Sequence, residues 1–518
     1  MYKIKKIIFW ILSITSICSC SNILMITMGG TKSHKIPFWE LARGLIPRGH
    51  NITFINAFPP DFHLQGLEEI TPASFVFYVK NFTNWDLVGA RIKGEEPVHP
   101  FDIVRYSYET CELLLTDHET RGFLSTAKNF ELVIMDGAFP ECTLGLSYFL
   151  KIPFMYINTV GFYTGSLSLS GNPTMPSFTP FYGKAFTDNM GLIDRTLNTL
   201  WFGAANLMHI FAMRYVHQVL KKEFGQEIPH PYELSKNVSF ILQNGHSTLT
   251  YPRAYFPNVD EVACIHCKTA KKLPTDLEEF INESGEAGFI YFSMGSSVKA
   301  ANMPEYLRKM LLYVFKQLPQ RVLWKFEDDM MDIPPNVKLS RWLPQQDILG
   351  HPKLRAFVTH GGLLSMFETV YHGVPIVSLP VFCDHDANAA KAELDGYALK
   401  LDLATLTPDK LLKSIKKVIH DPKYKRQVKK MQKLFRDQKE TPLQRAVYWT
   451  EYVLRHKGAE HLQSPARNLN FFQYYLIDVI MLIVASIIII HRLIKVFVKL
   501  IYSYLTGNFS FRKNVKIE

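Results

Sequence analysis

The chain has 518 residues, 47% hydrophobic and 20% charged, with ordinary glycine and proline (28 and 29) and seven cysteines. That excludes intrinsic disorder, collagen-like or low-complexity architecture and a disulfide scaffold, and at roughly 100–200 residues per domain it predicts two domains or more. The formal charge of +11 is mostly terminal: Lys3, Lys5 and Lys6 supply three, residues beyond 490 supply a net five, and only +3 is left for the whole middle, which carries no electrostatic footprint for nucleic acid.

In chain order, three lysines precede the apolar run Ile7–Ile17 and the small residues Cys18 to Ser21 follow, the pattern of a secretory signal peptide over 1–21. An uncleaved anchor is the competing reading, and the run is short for a membrane span. An α/β half is expected over 22–250. Strand Ile23–Thr27 leads into Met28-Gly29-Gly30, a polar loop holding Ser33-His34, a helix from Pro37 to Pro47, the turn Arg48-Gly49-His50 and strand Ile52–Asn56. That is the β-loop-α-β unit of a parallel sheet. Leu132–Met135 and Phe154–Ile157 read as further buried strands, and Trp201–Leu220 as helix.

Segment 251–285, rich in proline and charge, reads as a linker, and a second α/β half is expected over 286–455. Its strands are Phe289–Phe292, Val322–Phe326, Val337–Ser340, Ala356–Thr359 and Pro375–Leu379. Its helices are Pro304–Leu318, Ser365–His372 and Ala387–Leu394, and together they predict a second doubly wound sheet. A juxtamembrane segment, 456–470, leads to a transmembrane helix over 471–490, and positive charge in the tail 491–518 places that tail in the cytoplasm and the body in the lumen. Glycosylation is expected at Asn81, Asn237 and Asn282. Asn51 opens an apolar strand and is expected to be too buried, and Asn508 lies on the wrong side of the membrane. Cys264 and Cys267 form a lone CxxC, weak evidence for zinc or redox work.

The densest chemistry runs from Arg341 to Asn388. The strand ending at Thr359 turns through His360-Gly361-Gly362 directly into a helix. Glycines let backbone approach a ligand, and the N–H groups and positive pole of a helix start attract phosphate. His360 and Ser365 add donors, so the stretch reads as a diphosphate cradle. An ordinary glycine turn is the competing reading of those residues alone. Trp342-Leu343-Pro344-Gln345 precedes the cradle, and Glu368, Pro375, Pro380 and Asp384-His385 follow it.

This series, about 44 residues long, resembles the nucleotide-sugar signature of the UDP-glycosyltransferases, particularly the insect membrane-bound enzymes. The resemblance implies an α/β fold of two facing Rossmann-like domains, the GT-B type, plus one C-terminal transmembrane helix. It implies that Trp342 stacks on uracil, that Gln345 bonds the base or ribose, and that Glu368 takes the ribose hydroxyls. His360, Gly361, Gly362, Ser365 and Ser296 hold the diphosphate, and Asp384 and His385 read the sugar. Two positions depart from the family: Leu364 stands where Asn is usual, a contact Ser365 can supply, and His385 stands where Gln is usual, a change associated with galactose.

His34 follows the first strand and Asp136 ends a later one, so both lie at strand carboxyl ends. Matching residues form the family's catalytic pair. The resemblance therefore implies an inverting hexosyltransferase in which His34 is the general base and Asp136 fixes its tautomer. Taken singly, a loop histidine is more often a surface residue and an aspartate after a strand a helix cap. His50 reads as structural. Asp384-His385-Asp386 resembles a manganese D-x-D pattern, but its place in the signature favours sugar binding, and neither a metal nor a cofactor is expected, UDP-sugar being a co-substrate. Aromatics of the first half (Phe58, Phe62, Phe75, Phe77, Tyr78, Phe82, Trp85, Phe101, Tyr156, Phe162 and Tyr163) suit a lipophilic phenol or alcohol, although most must pack core. The expected partners are a UDP-sugar, glucose being favoured, that small acceptor and the bilayer, with no nucleic acid and with a homo-oligomer left open; the expected place is the endoplasmic reticulum membrane, single-pass type I. Competing readings are a glycolipid galactosyl- or hexosyltransferase, suggested by His385, and a non-catalytic UDP-sugar-binding relative, suggested by Leu364.

Overall fold

The computed structural model describes residues 20–60, 63–125, 129–161 and 165–507. Most of the expected signal peptide lies outside them, as do Phe62, Phe162, Tyr163, Asn508 and the rest of the tail. The chain forms two compact units, Met1–Ser464 and Pro465–Glu518.

The first unit holds two wholly parallel sheets. In one, seven strands run in the order β3-β2-β1-β4-β5-β6-β7, with β1 Asn22–Ile26, β2 Asn51–Ile55, β3 Leu67–Ile70, β4 Leu132–Asp136, β5 Phe154–Asn158, β6 Phe240–Gln243 and β7 Val259–Glu261. In the other, six run in the order β10-β9-β8-β11-β12-β13, with β8 Phe289–Ser293, β9 Arg321–Lys325, β10 Val337–Ser340, β11 Leu354–Thr359, β12 Ile376–Ser378 and β13 Ala398–Lys400. Both orders reverse once, at β1/β4 and at β8/β11, and such switch points open crevices for ligands at the strand carboxyl ends. The central strands are buried along nearly their whole length because helices cover both faces, which explains their unbroken apolar runs.

Several elements differ from the sequence-based expectation. The first helix spans Lys32–Leu45, so His34 sits in its opening turn and not in a loop. Pro37 does not start the helix but lies inside it, where it lacks the N–H that would bond the Ser33 carbonyl. The linker segment contains β7, which pairs in parallel with β6, and a helix, Thr275–Asn282. Two polar residues in a strand of three conceal it from any periodicity argument.

The helix Pro442–Arg455, expected with the second half, packs on the first sheet. Ala446, Val447 and Val453 are buried among Phe38, Leu41 and Phe240. Gly44 permits the approach, since a β-carbon there would lie 2.7 Å from Val447 Cγ2. The indole of Trp449 donates to Asp260 at 2.7 Å, and Glu451 receives Arg48 and lies 3.4 Å from His50 Nε2, which gives His50 its structural partner. The return of the chain therefore closes the first sheet with residues more than 180 positions distant.

In the second unit, the helix Ile477–Leu505 is long and apolar enough to cross a membrane. Its 29 residues span about 43 Å, more than the roughly 30 Å of hydrocarbon, and Phe471–Tyr474 is a separate short helix. The helix thus starts later than expected and carries Arg492, Lys495 and Lys499 on its last turns, because nothing in a basic residue at a helix end breaks the backbone bonding. Asn51 is exposed, contrary to expectation: β2 begins there, and its side chain points outward to bond Asn22 at 3.0 Å. Asn81, Asn237 and Asn282 are exposed as well. Disulfides join Cys111 to Cys142 and Cys264 to Cys267.

Candidate active site

The first switch point brings His34 and Asp136 together. His34 Nδ1 lies 2.6 Å from Asp136 Oδ2. A carboxylate only accepts, so Nδ1 donates and, in the neutral ring, Nε2 is left as an acceptor. The aspartate side chain is fully buried and the imidazole 17% exposed, so one partner is fixed and the other reachable. Thr27, just past β1, donates to Asp136 Oδ2 at 3.1 Å, and the Ala138 N–H donates to Oδ1 at 3.0 Å. Thr159, just past β5, donates to Oδ1 at 2.9 Å and lies 2.8 Å from His34 Nδ1. The ring is held so closely that a β-carbon at position 29 would meet its Cγ at 2.3 Å, which restricts Gly29 to glycine.

Burial opposes charge on His34, but the attraction of Asp136, their hydrogen bond and the more distant Asp384 outweigh it, and the imidazole is held above its ordinary value. Asp384 belongs to the second sheet's loops. Burial raises its carboxyl, and the His34 charge acts the other way. Residues 350 positions apart in sequence thus sense each other's charge.

At the second switch point His360 is buried between Gly295 and Gly362. β-Carbons at those positions would lie 2.4 Å from its Cε1 and 2.5 Å from its Nε2. Gly295 and Gly361 have φ of 76° and 89°, a region open mainly to glycine. The rings of His360 and His385 meet edge to face with centroids 4.5 Å apart. Burial drives His360 well below its ordinary value and His385 to about 3, so both stay neutral. A neutral imidazole offers one N–H; His385 Nδ1 accepts from the Phe382 N–H at 3.4 Å, which puts the proton on Nε2. Asn388 donates to the Gly361 carbonyl and to Asp384 Oδ2, both at 2.9 Å, and ties the glycine turn to Asp384. Lys325 donates to the Gly295 carbonyl at 2.8 Å and brings a positive charge to the loop that carries the exposed Ser296.

Glu368 is 7% exposed on the helix Leu363–His372. Gln345 donates to its Oε2 at 2.5 Å and to Ser365 Oγ at 3.0 Å. Trp342 is 70% exposed, a flat apolar surface of the kind on which a base stacks. Leu364 is half-buried against the core beneath the cradle. Asp386, the last member of the D-x-D pattern, receives Arg91 on both oxygens, at 2.9 and 3.1 Å, and Lys400 at 2.8 Å. Two cations thus neutralise this carboxylate.

Among the aromatics, Phe75 and Tyr156 are fully buried core, Phe77 and Phe101 are exposed, and Tyr78, Phe82, Trp85, Tyr106 and Phe139 form a chain of ring contacts. This cluster reaches the segment between β1 and the His34 helix: Tyr106 donates to the Met28 carbonyl at 2.8 Å. Thr27, Thr159, Asn388 and Lys325 were not singled out by sequence. Each stands at or just past a strand end or in a helix opening, and that position is their only sequence signal.

The chain matches the family described as UDP-glucoronosyl and UDP-glucosyl transferase over residues 68–510. It is 33% identical to UDP-glycosyltransferase UGT5 of Dactylopius coccus, over 98% of this chain and 99% of the relative. It is 32% identical to UDP-glucosyltransferase 2 of the same organism (89% and 91%) and 37% identical to UDP-glucuronosyltransferase 2B7 of Homo sapiens (70% and 69%). Among solved structures, the glycosyltransferase of kitacinnamycin superposes with a TM-score of 0.58 at 18% identity, over 83% of this chain and 98% of that one. A UDP-glucosyltransferase from Polygonum tinctorium does so with 0.54 at 16%, over 84% and 99%. The two parallel sheets are those of the GT-B glycosyltransferases, and the chain belongs to the UDP-glucoronosyl and UDP-glucosyl transferase family, enzymes that move a sugar from a UDP-sugar to an acceptor.

Proposed function

We propose that this enzyme transfers a neutral hexose, glucose first, from its UDP-sugar to a hydroxyl of a small lipophilic acceptor, with inversion at the anomeric carbon. His34 Nε2 takes the acceptor proton as the oxygen attacks, and Asp136 holds the ring's tautomer and balances its charge. UDP leaves from the opposite face, and the charge growing on its diphosphate is met by the helix start at Gly362, by His360 and by Ser365. Trp342 carries the uracil, Glu368 and Gln345 the ribose, and Asp384 and His385 the sugar.

The observation that carries this reading is the His34–Asp136 pair, a reachable imidazole whose Nδ1 lies 2.6 Å from a fully buried carboxylate so that Nε2 is left as the acceptor. For the donor, a glucuronate would need a free cation near His385; the Arg91 charge reaches that residue, but Asp386 already binds its guanidinium with both oxygens. A neutral sugar fits better. For the acceptor, the ring cluster from Tyr78 to Phe139 beside the segment that leads into the His34 helix supports an apolar, planar molecule. The Asp386 ion pairs also support a scheme without a metal. Two disulfides and four exposed glycosylation triplets among the described residues support a lumenal body in the endoplasmic reticulum, anchored by the helix Ile477–Leu505.

Membranes containing the full-length enzyme, offered labelled UDP-glucose, UDP-galactose and UDP-glucuronate with a panel of phenols, alcohols and lipids, test the reading. Transfer of glucose to a phenol or alcohol supports it. Transfer of glucuronate alone overturns the donor, transfer to lipids alone the acceptor, and UDP-sugar binding without transfer to any acceptor the catalytic assignment.

A further inference from the structure

Glu368 is gripped from both sides. Gln345 holds Oε2, and on Oε1 it receives His266 Nε2 at 2.9 Å. His266 is 3% exposed and comes from neither sheet but from the strap between them. The strap is closed around it by the Cys264–Cys267 disulfide and by the Cys267 N–H, which donates to the Cys264 carbonyl at 2.8 Å. It is also stitched to the neighbour of Gln345: Gln346 accepts from the Lys268 N–H at 2.7 Å and donates to the His266 carbonyl at 3.1 Å. Lys268 reaches onward to Glu40 at 2.6 Å, on the helix that carries His34. His266 Nδ1 has no hydrogen-bond partner among the described residues, so the ring's one polar contact there is with Glu368.

A carboxylate accepts about four hydrogen bonds, two on each oxygen. His266 and Gln345 take one on each, which leaves one on each for a ligand, and that is the pattern of two neighbouring hydroxyls. We propose that His266 is a positioning residue for the nucleotide: it fixes the rotation of Glu368 so that both free acceptor sites face the ribose 2′- and 3′-hydroxyls, and so sets the preference for a ribonucleotide over a 2′-deoxyribonucleotide donor. The proposal rests on the reading that Glu368 takes the ribose hydroxyls. Losing the His266 bond frees Oε1 to turn, and a deoxy ligand, which uses only one of the two sites, suffers less.

The test compares UDP with 2′-deoxy-UDP on the full-length enzyme in detergent, by calorimetry and steady-state kinetics. His266→Met keeps the bulk and removes the donor. Its Kd for UDP is expected to rise about tenfold, while that for 2′-deoxy-UDP changes less than about twofold. KM for the UDP-sugar rises with it, and kcat at saturating donor is unchanged. His266→Gln, whose amide reaches the same oxygen, restores the ribo-to-deoxy ratio. An unchanged ratio in His266→Met, or equal loss for both nucleotides, overturns the proposal. Glu368→Ala separates the two failures: if it abolishes the ratio while His266→Met does not, only the role of His266 falls; if it leaves the ratio intact, the ribose reading itself falls.

Discussion

His34 and His360 each stand at the point where the strand order of a parallel sheet reverses, and each is largely buried, yet their electrostatics are opposite. At His34 a buried carboxylate lies 2.6 Å away and holds the imidazole above its ordinary value. At His360 burial, His385 and Lys325 all press the ring toward neutrality, and among the described residues no carboxylate offsets them. Desolvation penalises the charged form in both places, and only a paired opposite charge reverses the outcome. The same architecture thus offers one imidazole suited to gaining and losing a proton and another suited to donating a fixed hydrogen bond.

The largest expected effect breaks this contrast at its active end. His34→Ala should lower kcat by about 10²–10⁴ with UDP affinity unchanged by calorimetry; equal loss of binding would put His34 in the donor pocket instead. Asp136→Asn should come next. If His34 is the base it must be neutral to act, and Asp136 holds it above the ordinary imidazole value, so kcat/KM of the parent should fall as pH drops through that raised value. The amide removes the partner that raises His34, so the limb should move to lower pH as kcat drops, and a limb that stays in place refutes the assignment.

At the other end, Trp342→Ala should raise KM for the UDP-sugar with kcat unchanged, consistent with about 1–3 kcal/mol for base stacking. His360→Leu should lower kcat/KM about tenfold, the loss of one hydrogen bond to a charged group, yet leave the acid limb where it was, because His360 is already neutral. The smallest effect is expected of Thr159→Val, a loss of about 0.5–1.5 kcal/mol from the grip on Asp136, read as a severalfold fall in kcat with the same fold by circular dichroism.

Much of the frame was legible beforehand because parallel strands buried on both faces are short apolar runs followed by polar turns. Ile23–Thr27, Leu132–Met135 and Ala356–Thr359 betray themselves this way, and each is followed by residues of the candidate site. Thr159 and Asn388 were not legible, since a lone threonine or asparagine beside a strand or helix end has no pattern until its neighbour in space is known. His266 was hidden for a stronger reason. Its segment read as a linker, and its partner Glu368 lies 102 positions away. The crossing of Pro442–Arg455 to the first sheet was equally hidden, since an amphipathic helix records that it covers an apolar surface but not which one.

By itself the sequence determined the element types, the apolar helix near the C-terminus and the glycine-rich turns, because these follow from local periodicity and from the backbone freedom of particular residues. Which strand ends adjoin, which carboxylate meets which imidazole, and which ring keeps its proton were decided only by the tertiary structure. Those outcomes depend on distances between charges and on exclusion of water, and both arise only when segments remote in the chain are packed against one another.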